Sequence, residues 1–193
     1  IKPIKKSKKK EKKSIYQEIE FNCKKKQTYQ LEKIVSIYTS KDKDTNNPSQ
    51  AAKNSVKRAS RFKNVLKTHK KAWKSLWDKF DIKIEDNEFS QKVLRLHTFH
   101  LLQTASPNTV GLDTGFPARG LHGEAYRGHI FWDEIFTTPF YDSHLPEVTQ
   151  ALLLYRYRRL LPAKKAAKKA GFAGAMFPWQ SGLTGKEESQ VIH

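Results

Sequence analysis

Residues 115–134, GFPARGLHGEAYRGHIFWDE, cannot be written into a regular element, so they divide the chain around them. Glycines at 115, 120, 123 and 128 interrupt any helical or alternating pattern. Between them stand two arginines, two histidines, a tyrosine, a tryptophan and the carboxylates Glu124, Asp133 and Glu134. Glycine allows close approach of backbone to a ligand, and polar and aromatic side chains between glycines suit the wall of a concave polar site. The run therefore reads as a site loop, with helices and strands to either side holding it.

The rest of the composition bounds the partners. The 193 residues carry a formal net charge of +18, from 37 Lys and Arg against 19 Asp and Glu. That excess favours an anionic partner such as nucleic acid or a membrane surface. Much of it, however, is lysine in the first third, and base-specific reading leans on arginine. A basic nucleic-acid-binding protein is kept as an alternative, although no reading motif is recognisable. The longest apolar run, residues 151–155, is far too short to span a bilayer, so no membrane partner is expected. Cys23 is the single cysteine and forms no intrachain disulfide, which does not mark an oxidising compartment, and a cytoplasmic location is expected. The basic start has no apolar segment behind it and no initiator Met, and the chain stops in mid-pattern at His193, as a fragment of a longer protein would.

Along the chain, residues 1–13 read as a solvated or disordered charge run. Residues 14–21 alternate loosely, and residues 28–40 are β-branched and aromatic. They are expected to pair antiparallel across the basic loop 23–27, as the end of a larger sheet. After the turn-rich KDKDTNNP, one long helix is predicted from Ala51 to Trp77, with Trp73 and Trp77 as packing anchors. Phe80, Ile82 and Ile84 alternate as a short strand, and Asp86 is offered as the N-cap of a helix running to about Ala105. His97 and His100 on that helix have metal spacing without a third ligand nearby, and read as packing histidines. Pro139 and Pro146 are expected to bracket a turn, followed by a helix over 147–161 and another from Pro162 that Gly171 closes.

A second glycine-bearing loop, FPWQSGLTG, follows. Each loop carries an indole followed directly by a polar planar group, Trp132-Asp133 and Trp179-Gln180. Sugars present apolar C–H faces and a rim of hydroxyls. An indole covers the first, and carboxylate or amide groups pair with the second. Arg119 and Arg127 suit a carboxylate or another anion. Asp133 and Glu134 are adjacent and diverge on strand or helix alike, so they do not flank one glycosidic bond. Such a pair reads as one ligand-binding residue beside one structural partner.

Two stretches, ARGLHGEAYRGHIFWDE (118–134) and GAMFPWQSGLTGKEESQ (174–190), resemble glycoside hydrolase family 65. The likeness continues through LHTFHLLQTASPNT, LLLYRYRRLLPAKKAAKKAGFAGA, HKKAWKSLWDKFDIKIE and EKIVSIYTSKD. That family holds kojibiose, maltose, nigerose and trehalose phosphorylases and related hydrolases. The resemblance implies a mainly α chain with a small β part: the end of an N-terminal β-sandwich (1–45), linker helices and a short strand (46–85), and the first helices of an incomplete (α/α)6 catalytic barrel (86–193). It also implies an inverting enzyme acting on an α-glucosidic disaccharide, by phosphate or by water, without cofactor and with inorganic phosphate as co-substrate if a phosphorylase. Trp132 and Asp133 match the family's glucose-binding pair, Trp179 lines the same pocket, and Arg127, His129 and Gln180 are further candidates. The general acid belongs to a later GPDEYHE-like motif and is expected downstream of His193. Many phosphorylases read FWDTE where this chain reads FWDEIF, a form closer to a bacterial branch with hydrolase-like members. The implied ligand is a disaccharide or glucose, and the full-length parent is implied to be a homodimer. A non-catalytic sugar-binding remnant remains a further alternative.

Overall fold

A computed structural model describes residues 3–85, 87–120, 123 and 125–189. Among these the chain is mainly helical, with one small two-stranded antiparallel sheet. The sheet is a hairpin of β1 (Lys5–Lys10) and β2 (Ile15–Glu20), in register from Lys5 opposite Glu20 to Lys10 opposite Ile15. The expected partner, residues 28–40, contains no strand, and the lysine run takes its place. Opposite charges explain the choice. Lys5 faces Glu20 and Ser7 Oγ donates to Glu18 Oε2 at 3.0 Å, so the nearest chain offers the acidic strand a basic mate.

The predicted long helix is two helices. The first, α1 (Pro48–Arg58), starts with Pro48 after Asn47, whose side chain accepts from the Gln50 N–H. It ends where Ala59 turns extended, and α2 (Phe62–Phe80) follows. No strand forms at 80–84. Phe80 instead closes α2 as a core residue, and the Gln91 side chain pairs with the Ile84 N–H and the Ile82 carbonyl in place of a neighbouring strand. Helix α3 (Glu88–Thr104) is capped by Asn87, which accepts from the Ser90 N–H, while Asp86 lies outside the described residues. On α3, His100 is part-buried and meets Gln103 Oε1 at 3.3 Å, but His97 is exposed rather than packed.

Pro139 does not flank a turn; it sits within α4 (Glu134–Asp142). The Ile135 carbonyl that its ring cannot serve receives the Thr138 hydroxyl at 3.3 Å, which softens the cost of a helical proline. Pro146 opens α5 (Pro146–Tyr157), and α6 (Leu160–Lys169) begins before Pro162, which occupies its first turn. The end of α6 is as expected. Gly171 is left-handed at φ 82°, and the Gly171 and Phe172 N–H groups return to the Lys168 and Ala167 carbonyls.

The core gathers Phe80, Leu102, Ala105, Phe116, Tyr141, Leu145, Val148 and Leu152, with Trp73 and Leu76 packed against it. It therefore joins the ends of α2 and α3 to α4, α5 and the start of the glycine run. Tyr141 is fully buried, and its hydroxyl donates to the Leu101 carbonyl at 2.6 Å. Burial pushes this phenol well above its usual pKa. Phe116 against Tyr141 ties the glycine run to this core on one side.

Candidate functional site

The two glycine loops are joined by their own backbones. Ile130 pairs antiparallel with Ser181, which pairs in turn with Glu187, while Pro117 pairs with Ile130 on the far side. The Ile130 N–H donates to the Ser181 carbonyl at 2.8 Å, and the reverse bond is 3.0 Å. Both residues are buried, and Tyr155 Oη on α5 reinforces the junction by donating to the Gly182 carbonyl at 2.6 Å. In an antiparallel pair, two steps forward on one strand lie opposite two steps back on the other. Ile130 opposite Ser181 therefore sets Trp132 opposite Trp179. The two indoles lie 6.4 Å apart, inclined at 37°. Phe131 meets the edge of Trp179 and Phe136 the edge of Trp132.

Both indoles face solvent, Trp132 at 49% and Trp179 at 62% exposure. Next to them opens a cavity of about 730 Å³. Arg127, His129, Trp179 and Gln180 line it, together with Tyr126, Phe131, Glu188 and Ser189. Trp132 touches this cavity only through Trp179. Asp133 is not on its wall. It stands half-buried at the N-terminus of α4, and its carboxylate makes no capping bond. Four of the six expected site residues thus share one cavity; Trp132 stands against one of them, Trp179, and Asp133 is off its wall.

The backbone between Tyr126 and Gly128 is left-handed throughout, with φ of 63°, 49° and 74°. A Cβ on Gly128 would meet nothing within 4 Å, so glycine serves the dihedral there and not the space. This turn carries Arg127 outward and aims the Tyr126 carbonyl at His129, which donates to it from its backbone N–H at 2.8 Å. The His129 ring meets the same carbonyl through Nδ1 at 2.8 Å and Glu188 Oε2 through Nε2 at 2.8 Å. His129 and Glu188 thereby latch the first loop to the second.

The adjacent carboxylates differ in what they reach. Glu134 is half-buried, accepts from Arg156 Nε at 2.5 Å and receives the Phe116 N–H at 3.4 Å. Arg156 also donates to the Phe131 carbonyl at 2.9 Å, so this pair fixes the turn before Trp132. Glu134 is accordingly occupied by structure, whereas the Asp133 carboxylate makes no capping bond. Arg119 is exposed and lies against Gly123, away from the indoles' cavity wall. Glu124 lies outside the described residues.

Several contributors are invisible as sequence. Arg156 sits in a leucine-tyrosine-arginine helix with nothing to distinguish it from Arg158. Arg159 and Arg158 both bond Asp113, with Lys41 at 3.7 Å, and hold its carboxyl well below the usual range despite partial burial. Glu187 is opposed by burial, but hydrogen bonds from Ser189, Trp179 and Gln180 outweigh it and bring its carboxyl down to about 2. Among the described residues no group of three or more His, Cys, Asp or Glu is placed to hold a metal ion. Nor is any helix long and apolar enough to cross a membrane.

Comparison with known proteins gives these loops a setting. The family model described as glycosyl hydrolase family 65 central catalytic domain matches residues 95–193, and that of the same family's N-terminal domain matches residues 2–76. An uncharacterized glycosyl hydrolase of Mycobacterium tuberculosis is 47% identical over 167 residues, covering 86% of this chain and 13% of its own length. A trehalose 6-phosphate phosphorylase of Lactococcus lactis is 42% identical over 177 residues, covering 91% of this chain and 23% of its own. A kojibiose phosphorylase of Caldanaerobacter subterraneus is 37% identical over 176 residues, covering 89% and 22%. The chain thus spans less than a quarter of the length of these relatives.

Proposed function

This chain belongs to glycosyl hydrolase family 65, and from that premise we propose that it is the sugar-gripping part of an enzyme that cleaves an α-linked glucose disaccharide with inversion. Kojibiose, maltose and trehalose are the substrate types, with inorganic phosphate or water as the attacking group. Residues 1–45 belong in this reading to the end of a β-sandwich, 46–85 to a linker, and 86–193 to the first part of an (α/α)6 barrel. The observation that carries the proposal is the paired register of Trp132 and Trp179 beside a polar cavity.

A glucose ring offers each indole a C–H face. Asp133 accepts from its hydroxyls, and Gln180 both donates and accepts. Arg127 supplies positive charge where an oxygen-rich ligand enters, and His129 holds the wall beside it. Cleavage also needs a proton donor for the leaving oxygen and attack from the opposite face. The reading assigns the donor to a glutamate of a GPDEYHE-like motif outside these 193 residues, in the length that the relatives have and this chain does not cover.

In the parent enzyme, Asp133→Ala should reduce kcat/KM for the disaccharide by about a hundredfold or more, the order of two lost hydrogen bonds to a charged group. Its circular dichroism should stay unchanged. A kcat/KM within twofold of the parent would remove Asp133 from the sugar site.

A further inference from the structure

Trp179 is carried on irregular chain. Residues 171–189 contain no helix, and scattered bonds anchor them, among them the Met176 N–H to the Ala163 carbonyl at 2.9 Å and the backbone pairs at Ser181 and Glu187. The Ile130–Ser181 pair fixes Ser181, and the Glu188 N–H fixes the Gln180 carbonyl at 2.9 Å. Neither reaches the Trp179 amide. One side chain does. Glu187 accepts the Trp179 N–H on Oε2 at 2.7 Å and the Gln180 N–H on Oε1 at 3.2 Å. Its Oε1 also takes the Ser189 N–H at 3.0 Å and the Ser189 hydroxyl at 2.7 Å. Two consecutive peptide groups held by one carboxylate lose their freedom to rotate, and the indole that hangs between them loses it too. Bonds to an ionised acceptor are also stronger than those a neighbouring strand's carbonyls would supply.

We propose that Glu187 is a positioning residue for sugar recognition: it stands in for an absent strand neighbour and holds Trp179 across from Trp132. It does not line the cavity, so it acts through Trp179 and not on the sugar. The carboxyl's low pKa, about 2, keeps this acceptor ionised throughout the neutral range. The inference rests on the sugar-site reading above and adds to it a residue that the indole-and-glycine pattern does not single out.

The test uses the 193-residue chain with Glu187→Ala and Glu187→Gln, and Trp179→Phe as reference. Two indoles this close couple in the near-ultraviolet, and the part of the circular dichroism that disappears in Trp179→Phe reports their pairing without any sugar. Glucose binding is read from tryptophan fluorescence, and fold from far-ultraviolet dichroism. Glu187→Ala should lose the paired-indole signal and bind glucose about tenfold or more weakly, the order of one lost charge-assisted bond, with secondary structure intact. Glu187→Gln keeps a single acceptor oxygen and should fall between; if the alanine variant does not fold, this variant carries the comparison. A variant that keeps both the indole signal and the affinity overturns the proposal. If the unsubstituted chain gives no saturable glucose response, the sugar-site reading fails and the sugar role of Glu187 fails with it. An indole signal that still depends on Glu187 would then mark it as a fastener of the loop alone.

Discussion

Asp133 and Glu134 are neighbours in sequence with separate work, and the difference is set by what each side chain reaches. Glu134 reaches Arg156 and the Phe116 amide, while Asp133 opens α4 without a capping bond. Adjacency alone suggested that one of the pair is a structural partner, and Glu134 is that residue. The tryptophan loops stood out in sequence because each sets an indole next to a polar planar group among glycines, and the structure brings the two indoles to 6.4 Å. Glu187 was not legible. In KEES it looks like any charged surface run, and its bonds to residues 179, 180 and 189 depend on a turn that composition does not announce. Its depressed pKa fixes a sign. The folded carboxyl titrates near 2 against an ordinary 4.5, so its stabilising contribution is complete above about 4.5 and is lost as pH falls toward 2. The difference in thermal midpoint between the unsubstituted chain and Glu187→Gln should therefore be constant at neutral pH and shrink through that acid window. A difference that does not change with pH would show that the charge contributes nothing.

At the scale of elements, the helices were the readable part. The closing glycine has a local cause and locates the end of α6, whereas the break between α1 and α2, the asparagine caps and α4 were not read. The strands were not, because a strand's partner is chosen by the whole surface opposite it. Residues 5–10 won the place expected of residues 28–40, with Lys5 facing Glu20 and Ser7 facing Glu18. Similarly the segment 81–85 has an alternating pattern but only the Gln91 side chain to pair with. The linking of the two glycine loops through Ile130 and Ser181 was equally hidden, since their apposition comes from backbone and not from the helices expected to bring them together. Two substitutions probe the packing of α4 and α5. Tyr141→Phe removes the donor to the Leu101 carbonyl inside the core and should cost about 1–2 kcal/mol. Thr149 is buried, and its hydroxyl has no partner among the described residues, so Thr149→Val should leave stability unchanged or raise it by about 1 kcal/mol. Urea unfolding measures both. A destabilised Thr149→Val would mean that the hydroxyl is served in solution.

Across the whole molecule, the core is drawn from the middle of the chain, between Phe80 and Leu152, with basic segments to either side. Phe80, Tyr141 and Leu152 and their neighbours hold the loops, whereas the lysines of the hairpin are spent on solvent and on the glutamates opposite. Apolar side chains remain outside this core, among them Leu153 and Tyr157 one turn apart on α5, and Phe172 and Met176 after α6. On the proposed reading these meet further helices of the barrel. The same reading expects the isolated chain to turn over neither kojibiose, maltose nor trehalose, with phosphate or without. Release of glucose or glucose 1-phosphate by the purified chain above the rate of an Asp133→Ala control would place the proton donor within these residues. The central claim is that the paired indoles grip a glucose ring, and it is tested most directly by titrating glucose into the 193-residue chain while following tryptophan fluorescence. The account predicts a saturable change that disappears when Trp132 and Trp179 are both replaced by phenylalanine. A chain that shows no saturable change, or one that persists without both indoles, contradicts it.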